Sequence, residues 1–280
     1  MSTVLVIGAN GFIGKSLCER LKPYHQVITL DRSKGDITNY DTFRNLDKVD
    51  YVFHLAARTF VPDSWNETTD FLNSNIIGTA NVLDFCKSKN IPMTFVSAYI
   101  YGKPESLPIR EDSFVKPNNP YALSKYMAEQ LCSFYSTFHN LNITVIRPFN
   151  IYGPGQPKHF LIPKIVDMVK KKVQIDLYDL SPKRDYIYID DVVDALIKTL
   201  ELKLHGYNVF NIGSGNSLSV KEVVDCIQSI SGTSLSVLSK EVQRKEELDN
   251  VFADISQSLN KLNWMPRTKF HEGIKKMIDA

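Results

Sequence analysis

One feature constrains this chain more than any other: a short β-branched run, Val4 to Ile7, ends in glycine and passes at once into an amphipathic helical stretch through Gly8-Ala9-Asn10-Gly11-Phe12-Ile13-Gly14. Glycine permits the tight turn and lets a ligand approach the backbone closely. The free amides and the dipole of the first helical turn then favour an anion. A strand that turns into a helix in this way is built to hold a pyrophosphate. Asp31 closes the next apolar run, Gln26-Val27-Ile28-Thr29-Leu30, about 20 residues on, where a carboxylate can accept from both ribose hydroxyls and repels a 2′-phosphate. The pair predicts a dinucleotide site with NAD preferred. Arg32, next to the carboxylate, is a guanidinium that can take up such a phosphate, so NADP stays open.

The rest of the chain continues the alternation. β-branched runs at 51–57, 92–98, 142–148 and 207–213 are separated by stretches of helical period at 71–89 and 121–138. Strand and helix in turn predict an α/β fold, a Rossmann-type doubly wound parallel sheet. Residues 1–152 with about 184–213 are expected to form the dinucleotide-binding domain. A smaller C-terminal substrate-binding lobe is expected from about 153–183 with 214–280. At 280 residues the chain has room for both. Lys and Arg number 33 against 31 Asp and Glu, a balance that argues for neither nucleic acid nor membrane as partner. No apolar run approaches the roughly 18 residues of a membrane span, and the N-terminus carries no basic leader before the glycine turn. A cytoplasmic location is expected. Cys18, Cys86, Cys132 and Cys226 stand far apart with no paired spacing, so reduced thiols are expected and no metal site.

The chemistry centres on Tyr121-Ala-Leu-Ser-Lys125. A spacing of i, i+4 puts phenol and ammonium on one helical face. A phenol of pKa near 10 is a poor base at neutral pH, and a neighbouring ammonium favours the phenolate. Ser97 ends the run Met93-Thr-Phe-Val-Ser97, which places its hydroxyl at the C-terminal sheet edge where open α/β folds bind ligands.

With these residues in that order, the chain resembles the extended short-chain dehydrogenases/reductases of the nucleotide-sugar epimerase and dehydratase group, over nearly its whole length. The resemblance implies that Gly8, Gly11, Phe12, Ile13, Gly14, Asp31, Asp36, Ile37, Leu55, Ala56, Ala57, Asn75, Tyr121, Lys125 and Pro148 line an NAD site. It implies that Ser97, Tyr121 and Lys125 are catalytic. It also implies that Ser97, Tyr121, Asn150, Arg184 and Arg244 hold a nucleotide-diphosphate sugar, the arginines through bidentate contacts to phosphate. Dehydratases of the group resemble one another in a Thr-Asp-Glu stretch where this chain has Ser97-Ala98-Tyr99, which disfavours dehydration. Hydride exchange at one carbon remains, by a 4-epimerase or by a 4-keto-sugar reductase. Reductases of the group generally draw on NADPH, so Asp31 tilts the expectation to the epimerase. A non-catalytic NAD-sensing relative is the third reading, against which both Tyr121 and Lys125 stand. Phe160 departs from the group, where hexose epimerases often carry an Asn on the diphosphate. The modest bulk of Val251 falls at a position that sets substrate size, and leaves room for an N-acetyl group. His54, in an apolar run, reads as a core residue, and His159 lies in a pocket loop. A homodimer is expected through 71–89 and 121–138, with Tyr126, Leu131, Phe134 and Phe138 on its apolar face.

Overall fold

Strands β1 (Thr3–Ile7), β2 (Gln26–Leu30), β3 (Tyr51–His54), β4 (Met93–Val96), β5 (Ile143–Pro148) and β10 (Tyr207–Ile212) form one six-stranded sheet in the order β10-β5-β4-β3-β1-β2. Every pairing in it is parallel. The computed structural model describes residues 1–46, 48–242 and 248–280. From β1 the chain moves to one side to lay down β2, then returns to the other side for β3. A crevice therefore opens at the carboxyl ends of β1 and β3, where ligands of doubly wound sheets bind.

Alternation along the strands sends apolar side chains to both faces. Val4 and Val6 join one core cluster, Leu5 and Ile7 another. Helices α1 (Phe12–Leu21) and α7 (Ile189–Leu202) cover the first face with Leu17, Leu21, Val192 and Leu196. On the second face, α4 (Gly78–Lys89) and α5 (Pro120–His139) bring Val82, Phe85, Ala128 and Cys132. Before α4 the chain makes two short helices, α2 (Val61–Ser64) and α3 (Thr68–Leu72).

The helix expected over 71–89 is broken. A π-helical turn, Asn73–Ile77, joins α3 to α4. The turn carries Asn75 inward, and Gly78 then meets Ile37 so closely that a Cβ would lie 2.7 Å from its Cγ1. A period of 3.6 hides such an extra residue, because flanking positions stay in phase with their own segments.

After β5 the chain adds smaller pieces. β6 (Asn150–Tyr152) pairs with β9 (Tyr186–Tyr188), β7 (Ile175–Leu177) with β12 (Val237–Ser239), and β8 (Lys183–Arg184) lies between β11 (Leu218–Ser219) and β13 (Asn250–Val251). Helices α6 (Leu161–Lys170), α8 (Val220–Ser231) and α10 (Phe270–Asp279) pack on one another, and α9 (Ser256–Leu262) lies against β10. Ile165, Val224 and Ile274 join the same apolar cluster as Val4 and Leu17. Ser219 and Glu222 form a reciprocal cap at the start of α8, which satisfies two otherwise unpaired amides. Among the described residues no helix is long and apolar enough to cross a membrane.

Candidate active site

A cleft of about 1850 Å³ runs along the carboxyl edge of the sheet. Single small-molecule pockets usually measure roughly 300–1,000 Å³, so this one has room for two elongated ligands.

Its floor begins at the glycine turn. Gly8 takes a φ of +90°, and its N–H donates to the Leu30 carbonyl at 2.7 Å. A Cβ on Gly8 would stand 2.7 Å from the Ala56 amide nitrogen, and one on Gly14 would run into the Gly8 carbonyl and Ala9. These two glycines serve the close packing of β1, α1 and the segment after β3. Gly11 caps α1 with no side chain to bond the first-turn amides, so Phe12 and Ile13 line the cleft with their N–H donors unclaimed by a cap. Such an end is suited to a diphosphate.

Asp31 lines the same cleft just past β2. Its carboxylate accepts from the Ser33 N–H at 2.8 Å, the Ser33 hydroxyl at 2.6 Å and Asn10 Nδ2 at 2.8 Å. The bonds from Ser33 hold its pKa below the usual carboxylate range, so it meets a ligand as an anion. Asp36 is held down likewise by the Thr38 amide and hydroxyl. Ile37, Leu55, Ala56, Ala57 and Pro148 also border the cleft.

At the other end Ser97, Tyr121 and Lys125 converge on it from β4 and α5. Ser97 N–H donates to the Ile146 carbonyl at 2.8 Å, while its Oγ is buried with no hydrogen-bond partner among the described residues. A buried hydroxyl without a partner costs free energy, and a reacting oxygen placed in the cleft would satisfy it. Asn119 caps α5, accepting from the Ala122 N–H at 2.8 Å, and Pro120 fits the first turn. That cap fixes where Tyr121 sits. The Tyr121 ring stands edge-on to Phe71, centroids 6.3 Å apart, and the protein around it pushes the phenol's pKa up.

Lys125 is buried, with Nζ 4.1 Å from the Phe95 ring centroid. Burial lowers its pKa to about 7, with Cys132 and Glu129 nearby acting in the other direction. The expected fall of the Tyr121 pKa is therefore not a property of the protein alone. Desolvation opposes both charged forms, and the added positive charge of an oxidised nicotinamide is what would favour phenolate.

Between about pH 7 and the unfolded value near 10.5, unfolded Lys125 holds a proton that the folded residue has released. Stability from this group is lowest below pH 7 and rises through that window. Replacing Lys125 by Met, which matches its length without the charge, is expected to raise the Tm at pH 6 and to flatten this part of its pH dependence. Melting both proteins from pH 6 to 10 checks this; a Met variant less stable than wild type at pH 6 contradicts it.

The remaining expected residues divide. Asn150 donates through Nδ2 to the Asp185 carbonyl at 3.1 Å, and Arg184 through Nη1 to the Leu248 carbonyl at 2.6 Å; both line the cleft. Asn75 is set apart. It is buried, accepts from the Arg58 N–H at 2.8 Å, and donates to the Arg58 carbonyl at 3.1 Å and the Ser124 hydroxyl at 2.8 Å. Ser124 in turn donates to the Tyr121 carbonyl at 2.7 Å. Asn75 thus ties the loop after β3 to α5 from behind the cleft. Arg244 lies outside the described residues. Val251 borders the cleft, and His159 and Phe160 stack with Phe60 at its edge. His54 is a core residue bonded to the Thr79 hydroxyl at 2.9 Å, its pKa lowered to about 3 by burial and by Lys125.

Sequence reasoning missed Asp185. It is buried and accepts from the Ser214 N–H and hydroxyl at 2.6 and 2.7 Å, and from the Gly215 and Ala253 amides at 3.1 Å each. Its place between Arg184 and Tyr186 was the available signal. Arg58 was missed as well; it faces the cleft, pairs with Glu67 and Asp70, and lies over the Phe71 ring at 5.4 Å.

Known proteins resemble this chain in sequence and fold. The chain is 34% identical over 272 residues to GDP-6-deoxy-D-talose 4-dehydrogenase of Aggregatibacter actinomycetemcomitans, covering 92% of this chain and 90% of that one. It is 30% identical to a putative UDP-glucose 4-epimerase of Methanocaldococcus jannaschii, over 99% of this chain and 97% of that one. UDP-glucuronic acid 4-epimerase from Bacillus cereus, solved with UDP-glucuronic acid and NAD, superposes with a TM-score of 0.92 at 26% identity, covering 99% of this chain and 98% of that one. A glycine turn, an acid after the second strand and a Ser-Tyr-Lys set on one sheet edge are accounted for together by the match of residues 4–213 to a family model: the chain belongs to the NAD-dependent epimerase/dehydratase family.

Proposed function

We propose that this chain is a nucleotide-sugar 4-epimerase that keeps its NAD through turnover. One observation carries the reading: Ser97, Tyr121 and Lys125 meet in a cleft whose opposite end is an anionic Asp31, and the residues after Ser97 are Ala98 and Tyr99 rather than acids. Chemistry beyond C4 needs a further acid or base there. Simple removal and return of hydrogen at C4 does not.

NAD, held by the glycine turn, Asp31 and Lys125, would supply reversible hydride acceptance. Tyr121 takes the proton from the C4 hydroxyl and later returns it. Ser97 Oγ holds the same oxygen, and Lys125 sets the charge that makes the phenol an effective base. Arg184, with Arg244, grips the diphosphate while the hexose turns to offer its other face. Residues 1–152 with about 184–213 carry the dinucleotide, and about 153–183 with 214–280 the sugar nucleotide.

We further propose a homodimer through α4 and α5. Support comes from an exposed stripe of Leu123, Met127, Phe134 and Phe138 on α5. Leu131, expected on that face, packs inward against the core instead.

The identity with a 4-dehydrogenase favours a second reading, a 4-keto-sugar reductase using free NAD(P)H. Incubating the purified protein with UDP, GDP, dTDP and CDP sugars and no added cofactor separates the two. The epimerase interconverts one of them unaided; a protein that acts only on 4-keto sugars with added NAD(P)H is the reductase.

A further inference from the structure

The segment from Gly153 to Phe160, between β6 and α6, holds a residue that the catalytic reading leaves unused. Its first residue packs closely on Ile189 of α7, where a Cβ on Gly153 would clash, and lies beside the dinucleotide helix, with Phe12 Cζ 3.6 Å from such a Cβ. Its far end stacks on the loop after β3, where the Phe60 and His159 rings meet at 4.4 Å and the Phe60 and Phe160 rings at 6.1 Å. His159 and Phe160 lie 4.5 Å apart. The segment thus runs from α1 to the loop that carries Leu55, Ala56 and Ala57, and so crosses the crevice between β1 and β3. In a doubly wound sheet that crevice receives the dinucleotide.

Gln156 sits midway along this strap and lines the cleft. Its Nε2 donates to the Ile151 carbonyl at 2.8 Å. Only the NH₂ end of an amide can make that bond, so the orientation of the amide is set and Oε1 points elsewhere. Oε1 is buried and has no hydrogen-bond partner among the described residues. A buried acceptor held in a fixed direction and left unpaired is costly, unless a ligand donor completes it.

We propose that Gln156 is a cofactor-binding residue, its Oε1 accepting a hydrogen bond from a ribose hydroxyl or carboxamide N–H of the dinucleotide, with the Phe60–His159–Phe160 stack fastening the strap that carries it. The proposal rests on the dinucleotide reading of the cleft. It assigns the strap to the ribose and nicotinamide beyond the pyrophosphate, because the adenosine end lies toward Asp31 and β2.

The test is equilibrium binding, free of turnover. NADH is titrated into wild type stripped of nucleotide, Gln156→Met and Phe60→Leu, with AMP as the short probe and a thermal melt on each protein. Gln156→Met keeps the length of the side chain and removes the acceptor. It is expected to raise the NADH Kd by about 5- to 10-fold and leave AMP binding within about twofold. Phe60→Leu is expected to speed NADH release in stopped flow with the same indifference to AMP. An unchanged NADH Kd in Gln156→Met overturns the proposal, as does an equal loss for AMP, which would mark a general structural defect. A wild type that binds no dinucleotide removes the reading of the cleft itself.

Discussion

Replacing Tyr121 by Phe is expected to lower turnover by about a hundred- to ten-thousand-fold, while the protein keeps its fold and its dinucleotide. The substitution removes one oxygen. The ring stays edge-on to Phe71, and the Asn119 cap that positions this turn of α5 depends on the backbone N–H of Ala122. What is lost is the group that, on the proposed reading, moves the proton. Burial pushes this phenol up rather than down, so the protein invests in no free-standing base. On the proposed reading, the added charge of an oxidised cofactor, with Lys125 one turn along α5, is what makes the phenol a base. Turnover and bound dinucleotide, measured on one preparation, check the claim. A variant that retains most of its activity would show that Tyr121 is not the proton carrier, and a variant with an intact non-catalytic function would restore the NAD-sensing reading.

Glu129→Gln is expected to cost about 3–5 kcal/mol of stability, the usual penalty for breaking a buried ion pair by removing one partner. Glu129 is fully buried on α5, one turn beyond Lys125, and its carboxylate accepts from Arg147 Nη2 at 2.6 Å and Nε at 3.1 Å. Arg147 also donates to the Tyr101 hydroxyl at 2.9 Å and the Glu111 carbonyl at 3.0 Å, and Tyr101 donates to Asn211 Oδ1 at 2.6 Å. One guanidinium thus joins α5, β5, β10 and the loop after β4. Without the carboxylate it stays charged and buried, and the Tm should fall by on the order of 10 °C. Glu129→Leu with Arg147→Met, apolar at both positions, should recover much of the loss. Thermal melts of the single and double variants decide the matter: a single variant within about 1 kcal/mol of wild type, or a double variant far worse than the single, contradicts the account.

The fold and the line of the site were legible where the signal is local. The glycine turn, Asp31 and the Tyr121–Lys125 pair each declare themselves within a few residues, because turn geometry and helical period are short-range. The Glu129–Arg147 pair gave no such sign: its partners lie on a helix and a strand that only the tertiary fold brings together. The inward turn of Asn75 depends on one extra residue in a π-helical turn, which apolar period does not register. Lys125 was legible as a cation but not as a buried one over Phe95, since burial is set by β4 and not by α5. Asp185 looked like one of several acids in its run; four donors from elements distant in sequence make it a hub.

The central claim is that hydride leaves C4 and returns to C4 within one active site. A sugar nucleotide that the enzyme accepts, carrying deuterium at C4, is to be incubated with the purified protein and no added cofactor, and both 4-epimers recovered for mass analysis. The account predicts interconversion with the deuterium retained at C4 in the product. Absence of interconversion until NAD(P)H is supplied, with unlabelled hydrogen arriving at C4 of a 4-keto substrate, would contradict it and make the protein a reductase.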